Sequence, residues 1–186
     1  MISFESKLTQ KLFTLFFVNQ EKEVYLNELA RTLDVDPGNL DRKLKELEKE
    51  GIFKSEFRGK QKYYFLNKDF SLLHEYKQIF NKTIGLEHQL KKTLSKIKEI
   101  SHAYIYGSYA KDKLAAHSDI DLIIIIKLDT ENILEVLSKS LIDIEKTTQR
   151  EINYMLYSEK EFKEKLKNKN AFLEEVFSDK YITLIP

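Results

Sequence analysis

The sequence predicts an α/β (α+β) protein with two small domains. Three observations predict this fold class. Apolar residues recur at helical spacing through the first third of the chain, and two short runs of β-forming residues follow them. From residue 101 onward the pattern alternates between strands and helices. The 186 residues include only 5 Gly and 2 Pro, so few residues are available for flexible linkers.

Composition excludes several classes of protein. The chain has no Cys, which rules out disulfides, thiolate metal sites and a Cys nucleophile. The longest apolar stretch, 122–126, is far too short to cross a bilayer, so we expect a cytoplasmic protein without membrane contact. Lys and Arg number 31 and Asp and Glu number 30, and the net charge is +1. Any nucleic-acid contact must therefore come from local placement of cations.

Three helices are predicted at the start of the chain. Hydrophobic spacing indicates the first over 4–18 and the second over 27–33. Asp36 is a good N-cap, and Pro37 suits the first position of a third helix because its missing amide costs nothing there. This third helix runs to about residue 50 and stops at Gly51.

A hairpin is predicted after the third helix. The runs 52–57 and 62–66 are rich in aromatic and β-forming residues and flank a turn at 58–61. Three helices followed by a hairpin resemble the winged helix-turn-helix transcription regulators, and the resemblance covers roughly residues 5–67. In such proteins the third helix normally enters the major groove and the wing contacts the backbone of the DNA.

The resemblance implies that double-stranded DNA is a partner of this domain. The candidate contacts are cations on the third helix and at the hairpin tip: Arg42, Lys45, Lys49, Arg58 and Lys60. Acidic residues such as Glu46 and Glu48 dilute this positive surface and should weaken attraction to phosphates. Winged helices are also used for protein contacts and dimerisation, and this alternative stays open.

The middle of the chain is predicted to connect two domains. Helices are expected over 69–83 and 86–100, with Gly85 as the joint between them, and they would also help a dimer to pack. The predicted domains are therefore 1–67, a helical connector over 68–100, and 101–186. In the last domain a small mixed sheet is expected, with strands over 103–106, 121–126, 151–157 and 181–185 and helices over 108–114, 130–146, 159–167 and 171–177.

One stretch of the last domain carries residues suited to phosphate chemistry. A predicted strand ends at Gly107-Ser108, and a second strand opens at Asp119-Ile120-Asp121. Residues two apart on a strand share a face, so both carboxylates point the same way, where they can hold Mg²⁺. A glycine allows close backbone approach to a phosphate, and amides at a helix start attract anions. The segment therefore predicts a site for a metal-bound polyphosphate.

Gly-Ser, ten intervening residues and Asp-x-Asp resemble the signature of the polymerase-β-like nucleotidyltransferase superfamily, in its minimal form. The resemblance implies that Gly107 and Ser108 bind nucleotide phosphates and that Asp119 and Asp121 bind divalent metal ions. The family's helix usually continues with Ala-Arg-Gly. Here Lys111 keeps a cation for the phosphates, and the next residue, Asp112, adds a negative charge.

The superfamily also has a third carboxylate on a later strand. In this chain Glu151 and Asn153 share one face of that strand, and only Glu151 is acidic. Glu151 is therefore taken as the third metal ligand and catalytic residue. If Asn153 occupies that place instead, metal binding weakens and catalysis becomes doubtful. His117 and Arg150 are candidate phosphate contacts, with a solvated loop or a surface ion pair as the alternative for each.

The resulting function is a Mg²⁺-dependent or Mn²⁺-dependent nucleotidyltransferase that uses a nucleoside triphosphate, expected to be ATP. The resemblance implies transfer of a nucleoside monophosphate to a hydroxyl acceptor, whereas spacing alone would also allow chemistry at the γ-phosphate. Two alternatives remain: a transcription regulator that binds nucleotide without turnover, and an antitoxin-like protein. The domain is too small to grip its acceptor alone, so a homodimer or a small helical partner is expected to complete the pocket.

Overall fold

The computed structural model describes residues 3–115, 118–127 and 132–186. The chain divides into two compact units, Met1–Leu86 and Glu87–Pro186. Both units contain helices and a small sheet, which confirms the predicted fold class. Within the described ranges, no helix is long and apolar enough to cross a membrane.

The described residues of the first unit, from residue 3 onward, form four helices and a three-stranded antiparallel sheet of order β1-β3-β2. The predicted three helices and the hairpin are all present. Strand β1 has only two residues, too few for an alternating pattern, and sequence periodicity missed it. The elements are α1 (Lys7–Val18), β1 (Val24–Tyr25), α2 (Leu26–Leu33), α3 (Pro37–Lys49), β2 (Phe53–Arg58), β3 (Gln61–Leu66) and α4 (Leu73–Thr83).

The turn between α2 and α3 has the predicted chemistry. Asp34 adopts a left-handed conformation with φ 49°, which ends α2. The Asp36 side chain then accepts a hydrogen bond from the Asn39 amide at 2.8 Å, and Pro37 occupies the first turn of α3. Local sequence therefore determines where α3 begins.

An aromatic cluster forms the core of the first unit. Phe13 stacks on Phe17 with ring centroids 4.8 Å apart, and Phe16 meets Phe53 edge to face at 4.9 Å. Phe80 of α4 is fully buried in the same cluster. The stretch 68–100, expected to be a separate connector, is thus shared: α4 packs into the core of the first unit, and the second unit begins at Glu87.

The second unit is built on a four-stranded mixed sheet of order β6-β5-β4-β7. Strands β5 and β6 are parallel, and the other two pairings are antiparallel. The elements are α5 (Leu86–Leu94), β4 (Ile100–Tyr106), α6 (Gly107–Ala110), β5 (Ile120–Ile126), α7 (Ile133–Thr148), β6 (Ile152–Ser158), α8 (Glu159–Lys167), α9 (Ala171–Ser178) and β7 (Ile182–Ile185).

Several boundaries differ from the predictions, among them the end of the helix predicted over 86–100, which stops at Leu94. Two of the differences have a clear physical reason. Helix α6 ends at Ala110 rather than near residue 114, because Asp112 takes a left-handed conformation with φ 57°. Strand β4 begins at Ile100, and an irregularity between Ile100 and His102 hid its alternation from the sequence pattern. The start of the helix predicted from residue 130 lies outside the described residues.

One face of the central strand leads directly to the candidate site. Ile123 and Ile125 of β5 are buried in a cluster with Leu173 and Val176 of α9. Because strand side chains alternate, Asp121 lies on this same face, two residues before the apolar cluster begins. The strand is therefore held by its apolar half, while its first residues carry the polar group.

Candidate active site

Gly107 lies at the junction of β4 and α6, against a carboxylate of the neighbouring strand. Its φ of 71° is in the left-handed region, which side chains other than glycine rarely adopt. A Cβ added to Gly107 would lie 2.6 Å from Oδ2 of Asp121, closer than any real contact. The backbone conformation and the space both require glycine here. The predicted phosphate turn and the predicted metal ligand are in contact.

Asp119 and Asp121 form a pair of like charges beside this turn. Asp121 is half-buried in β5 and lies opposite Tyr106 of β4, and Asp119 immediately precedes β5. Burial, with a further contribution from the charge of Asp119, raises the pKa of the Asp121 carboxyl above its ordinary value. Ionised together, the two groups repel each other, and a bound cation would relieve that repulsion.

Asn153 is the residue of β6 that reaches this pair. Parallel pairing of β5 with β6 places Asn153 opposite Asp121. The Asn153 side-chain amide donates a hydrogen bond to Oδ2 of Asp119 over 3.1 Å. An amide, not a carboxylate, is therefore the third side chain in contact with the predicted ligands.

Glu151 stands just before β6, and its backbone carbonyl accepts a hydrogen bond from the Ile120 amide at 2.9 Å. In the described part of the chain, no three His, Cys, Asp or Glu side chains are grouped closely enough to hold a metal ion. As the side chains stand, Glu151 does not complete a three-carboxylate site with Asp119 and Asp121. Its role as third ligand stays a prediction, and Asn153 competes for that place.

The other predicted phosphate contacts differ in how accessible they are to a phosphate. Ser108 follows Gly107 in the first turn of α6, and its side chain is partly exposed. Lys111 forms an ion pair with Asp179 at 2.6 Å, and this carboxylate raises the pKa of the Lys111 amine. A phosphate would have to compete with Asp179 for this cation. His117 lies outside the described residues.

Arg150 has a role that sequence reasoning missed. Its side chain is only 7% exposed, whereas both sequence interpretations required an accessible guanidinium. One nitrogen, Nη1, donates to the carbonyl oxygens of Ala115 at 2.9 Å and Ser118 at 2.6 Å. Arg150 therefore binds the backbone directly before Asp119. The only available signal was its position immediately before a predicted strand, which says nothing about burial.

In the first unit, several of the cations predicted to bind DNA already have acidic or amide partners. Lys45 forms an ion pair with Asp41 at 2.7 Å. Arg58 pairs with Glu23 and Glu56. The other predicted contacts are exposed. Arg42 and Lys49 lie on α3, where Arg42 donates a hydrogen bond to the Asn39 side chain, and Lys60 lies in the hairpin turn.

Residues 88–179 match the family model described as "Polymerase beta, Nucleotidyltransferase". The second unit thus carries a polymerase-β-like nucleotidyltransferase domain, which confirms the expected resemblance for this part of the chain. A solved structure from Sulfolobus solfataricus, described as a candidate nucleotidyltransferase, is also similar, with 19% identity and a TM-score of 0.28. The match covers 42% of this chain and 68% of that chain. No curated protein matches the sequence.

Proposed function

We propose that the second unit is a metal-dependent nucleotidyltransferase that takes a nucleoside triphosphate, with ATP as the expected substrate. The observation that carries this proposal is the contact between Gly107 and Asp121, beside Asp119. A turn that can accept phosphate and a pair of carboxylates that can accept a cation share one surface. Triphosphate chemistry needs both in the same place.

The residues present fit a divalent cation. Asp119 and Asp121 offer oxygen ligands at the start of β5, and burial together with the charge of Asp119 raises the pKa of the Asp121 carboxyl. In the described residues, neither carboxylate forms a salt bridge. Asp119 and Asp121 would hold Mg²⁺ or Mn²⁺, which would supply positive charge to offset that of the triphosphate.

The roles of the chain's own residues follow from this placement. The backbone at Gly107 and the hydroxyl of Ser108 would hold phosphate oxygens, and Asp119 and Asp121 would hold the cation. A hydroxyl oxygen of the acceptor forms a bond to the α-phosphorus, and the bond from that phosphorus to pyrophosphate breaks. The hydroxyl proton passes to a base, a role that Glu151 would fill if it reaches the site.

Asn153 supports a second candidate function, a domain that binds nucleotide without turnover. An amide beside Asp119 adds no negative charge and is a much weaker base than a carboxylate. Such a site can hold a metal-bound triphosphate and still lack the group that accepts the proton. Nucleotide binding would then regulate the chain rather than supply its chemistry, in a transcription regulator or in an antitoxin-like partner.

The decisive experiment offers the protein each of four triphosphates labelled at the α-phosphate, with Mg²⁺ and a cell lysate as the source of acceptors. Transfer of label that depends on metal and disappears in Asp121→Asn supports the enzyme. Transfer absent with every triphosphate, together with a Mg²⁺-dependent rise in melting temperature on adding ATP, supports the binding domain. If label transfer and metal-dependent stabilisation are both absent, both candidate functions are refuted.

For the first unit, double-stranded DNA is the proposed partner. Helix α3 follows a tight turn from α2, and the hairpin of β2 and β3 follows α3, an order that supports the winged-helix interpretation. Exposed Arg42, Lys49 and Lys60 supply charge for phosphates. Because Lys45 and Arg58 are paired with acidic groups, this binding should be weak and sensitive to salt.

Fluorescence anisotropy with a random-sequence duplex tests the DNA proposal. Removing Lys49 and Lys60 together should reduce the salt slope by about one per lost phosphate contact. Lys45→Ala is the matched control and should have a smaller effect, because Asp41 already neutralises Lys45. If the affinity for the duplex changes neither with salt concentration nor in these variants, a protein-contact surface is favoured instead, such as one used in a homodimer or with a small helical partner.

A further inference from the structure

The burial of Arg150 needs a physical explanation, because a guanidinium loses strong hydration when it leaves water. Burial lowers the pKa of Arg150, and the negative charge of Asp119 acts in the opposite direction. The donors to Ala115 and Ser118 replace part of the lost hydration. The guanidinium therefore lies where it feels the charge of the candidate metal ligand and bonds the backbone leading to it.

The two carbonyl groups belong to residues that are also bonded to each other. The Ser118 amide donates to the Ala115 carbonyl oxygen at 3.2 Å, and the Ala115 amide donates to the Ser118 hydroxyl at 3.0 Å. Arg150 joins both members of this pair from the side. Since Ser118 is covalently attached to Asp119, fixing Ser118 limits the positions that Asp119 can take.

The other side of Asp119 is held from the same segment of chain. The Ile120 amide donates to the carbonyl of Glu151, and the Asn153 amide donates to Asp119 itself. Residues 150, 151 and 153 thus contact the backbone before Asp119, the backbone after it and its carboxylate. Arg150 supplies the only one of these contacts that also carries a positive charge.

We propose that Arg150 is a positioning residue: by binding Ala115 and Ser118 it fixes Asp119 beside Asp121, in the geometry that a divalent cation requires. The expected effect on metal affinity rests on the proposed metal site. The positioning of Asp119 rests on the hydrogen bonds alone. Groups that orient metal ligands typically change metal affinity by about 10-fold to 100-fold when they are removed.

The test compares Arg150→Met with wild type in two measurements. Mn²⁺ titration followed by electron paramagnetic resonance should give an affinity about 10-fold weaker. Residue-resolved hydrogen exchange without metal should show faster exchange at the Ala115 and Ser118 amides. Arg150→Lys keeps the charge and one donor group, and its Mn²⁺ affinity and exchange rates should lie between those of wild type and Arg150→Met. Millimolar guanidinium, far below denaturing concentration, should restore part of the Mn²⁺ affinity of Arg150→Ala.

Thr148→Val is the matched control for a purely structural effect. Thr148 is fully buried near Arg150 in sequence, and its hydroxyl donates within its own helix, to Ile144. Thr148→Val should have a lower melting temperature than wild type, with the same Mn²⁺ affinity and the same exchange at the Ala115 and Ser118 amides. If Thr148→Val reproduces both changes, or if Arg150→Met leaves both unchanged, the proposal is overturned.

The two hypotheses fail in different ways. Wild-type protein that shows no Mn²⁺ binding sensitive to Asp119→Asn refutes the metal site, and hydrogen exchange alone then decides whether Arg150 fixes the Ala115 and Ser118 pair. Mn²⁺ binding that requires Asp119 but does not change in Arg150→Met refutes the role of Arg150 and leaves the metal site standing.

Discussion

The predicted DNA-binding surface of the first unit and the carboxylate pair of the second unit differ in how their charges are compensated. In the first unit, cations of the predicted DNA-binding surface meet acids of the same unit, as Lys45 meets Asp41 and Arg58 meets Glu23. In the second unit, Asp119 and Asp121 stand together, and burial raises the pKa of one of them. A charged side chain that already forms an ion pair within the protein gains less free energy from binding a ligand. Two neighbouring like charges that are poorly compensated gain more.

The largest effect should come from removing either member of the carboxylate pair. Asp119→Asn and Asp121→Asn keep the side-chain size and each remove one negative charge from the proposed metal site. Turnover of labelled triphosphate should fall by at least ~10²-fold, a loss of about 2.7 kcal/mol of transition-state stabilisation. Full activity in these variants would show that the carboxylate pair is an ordinary surface feature and not a ligand site.

A change in the opposite direction is expected at Asn153. Asn153→Asp places a third carboxylate next to Asp119, where the amide now donates. Turnover should rise by about 10-fold, since a carboxylate serves both as metal ligand and as proton acceptor. Glu151→Gln is the companion variant.

Comparing the two variants identifies the third ligand. If Glu151 is the third ligand, turnover falls in Glu151→Gln and Asn153→Asp gains nothing. If Asn153 occupies the third place, Glu151→Gln has little effect, and the number of Mn²⁺ ions bound beside an ATP analogue rises in Asn153→Asp.

Gly107→Ala tests the contact between the phosphate turn and the carboxylate pair. The added methyl group must both adopt a positive φ and lie where Asp121 now stands. The left-handed conformation alone costs about 1–2 kcal/mol. A lower midpoint of urea unfolding and a loss of ATP binding are expected together. Gly59→Ala is the control, because Gly59 also has a positive φ but has nothing within 4 Å of an added Cβ.

Loss of stability in both variants, with loss of ATP binding only in Gly107→Ala, would separate conformational strain from the site contact. Equal ATP binding in Gly107→Ala and wild type would show that nucleotide does not use this turn.

The smallest effect concerns stability without metal. Since folding raises the pKa of Asp121, the folded protein holds this proton more tightly, and ionisation of Asp121 destabilises it. The stabilising contribution of the protonated Asp121 carboxyl is complete below the ordinary aspartate pKa, which applies in the unfolded chain. It is lost as pH rises through the higher pKa of the folded state. Asp121→Asn should therefore unfold at a slightly higher temperature than wild type at pH 7 in EDTA. That advantage should shrink as pH falls towards 4, and saturating Mn²⁺ should reverse it. Lower stability of Asp121→Asn at neutral pH would contradict the destabilising pair.

Local sequence patterns were enough to predict most of the helices and strands and the chemical type of the site. The cap at Asp36, the apolar spacing of the helices and the segment from Gly107 to Asp121 are local patterns, and local patterns depend on nearby residues alone. A period of two was enough to predict that Asp119 and Asp121 point the same way at the start of β5.

Which residues contact Asp119 and Asp121 depends on the tertiary structure. The same period of two predicted that Glu151 and Asn153 share a face, and the register of β6 against β5 brings the Asn153 amide to Asp119. The burial of Arg150 and the ion pair between Lys111 and Asp179 also join residues far apart in the chain. Contacts between distant segments depend on register and packing, and no local pattern in one sequence records either.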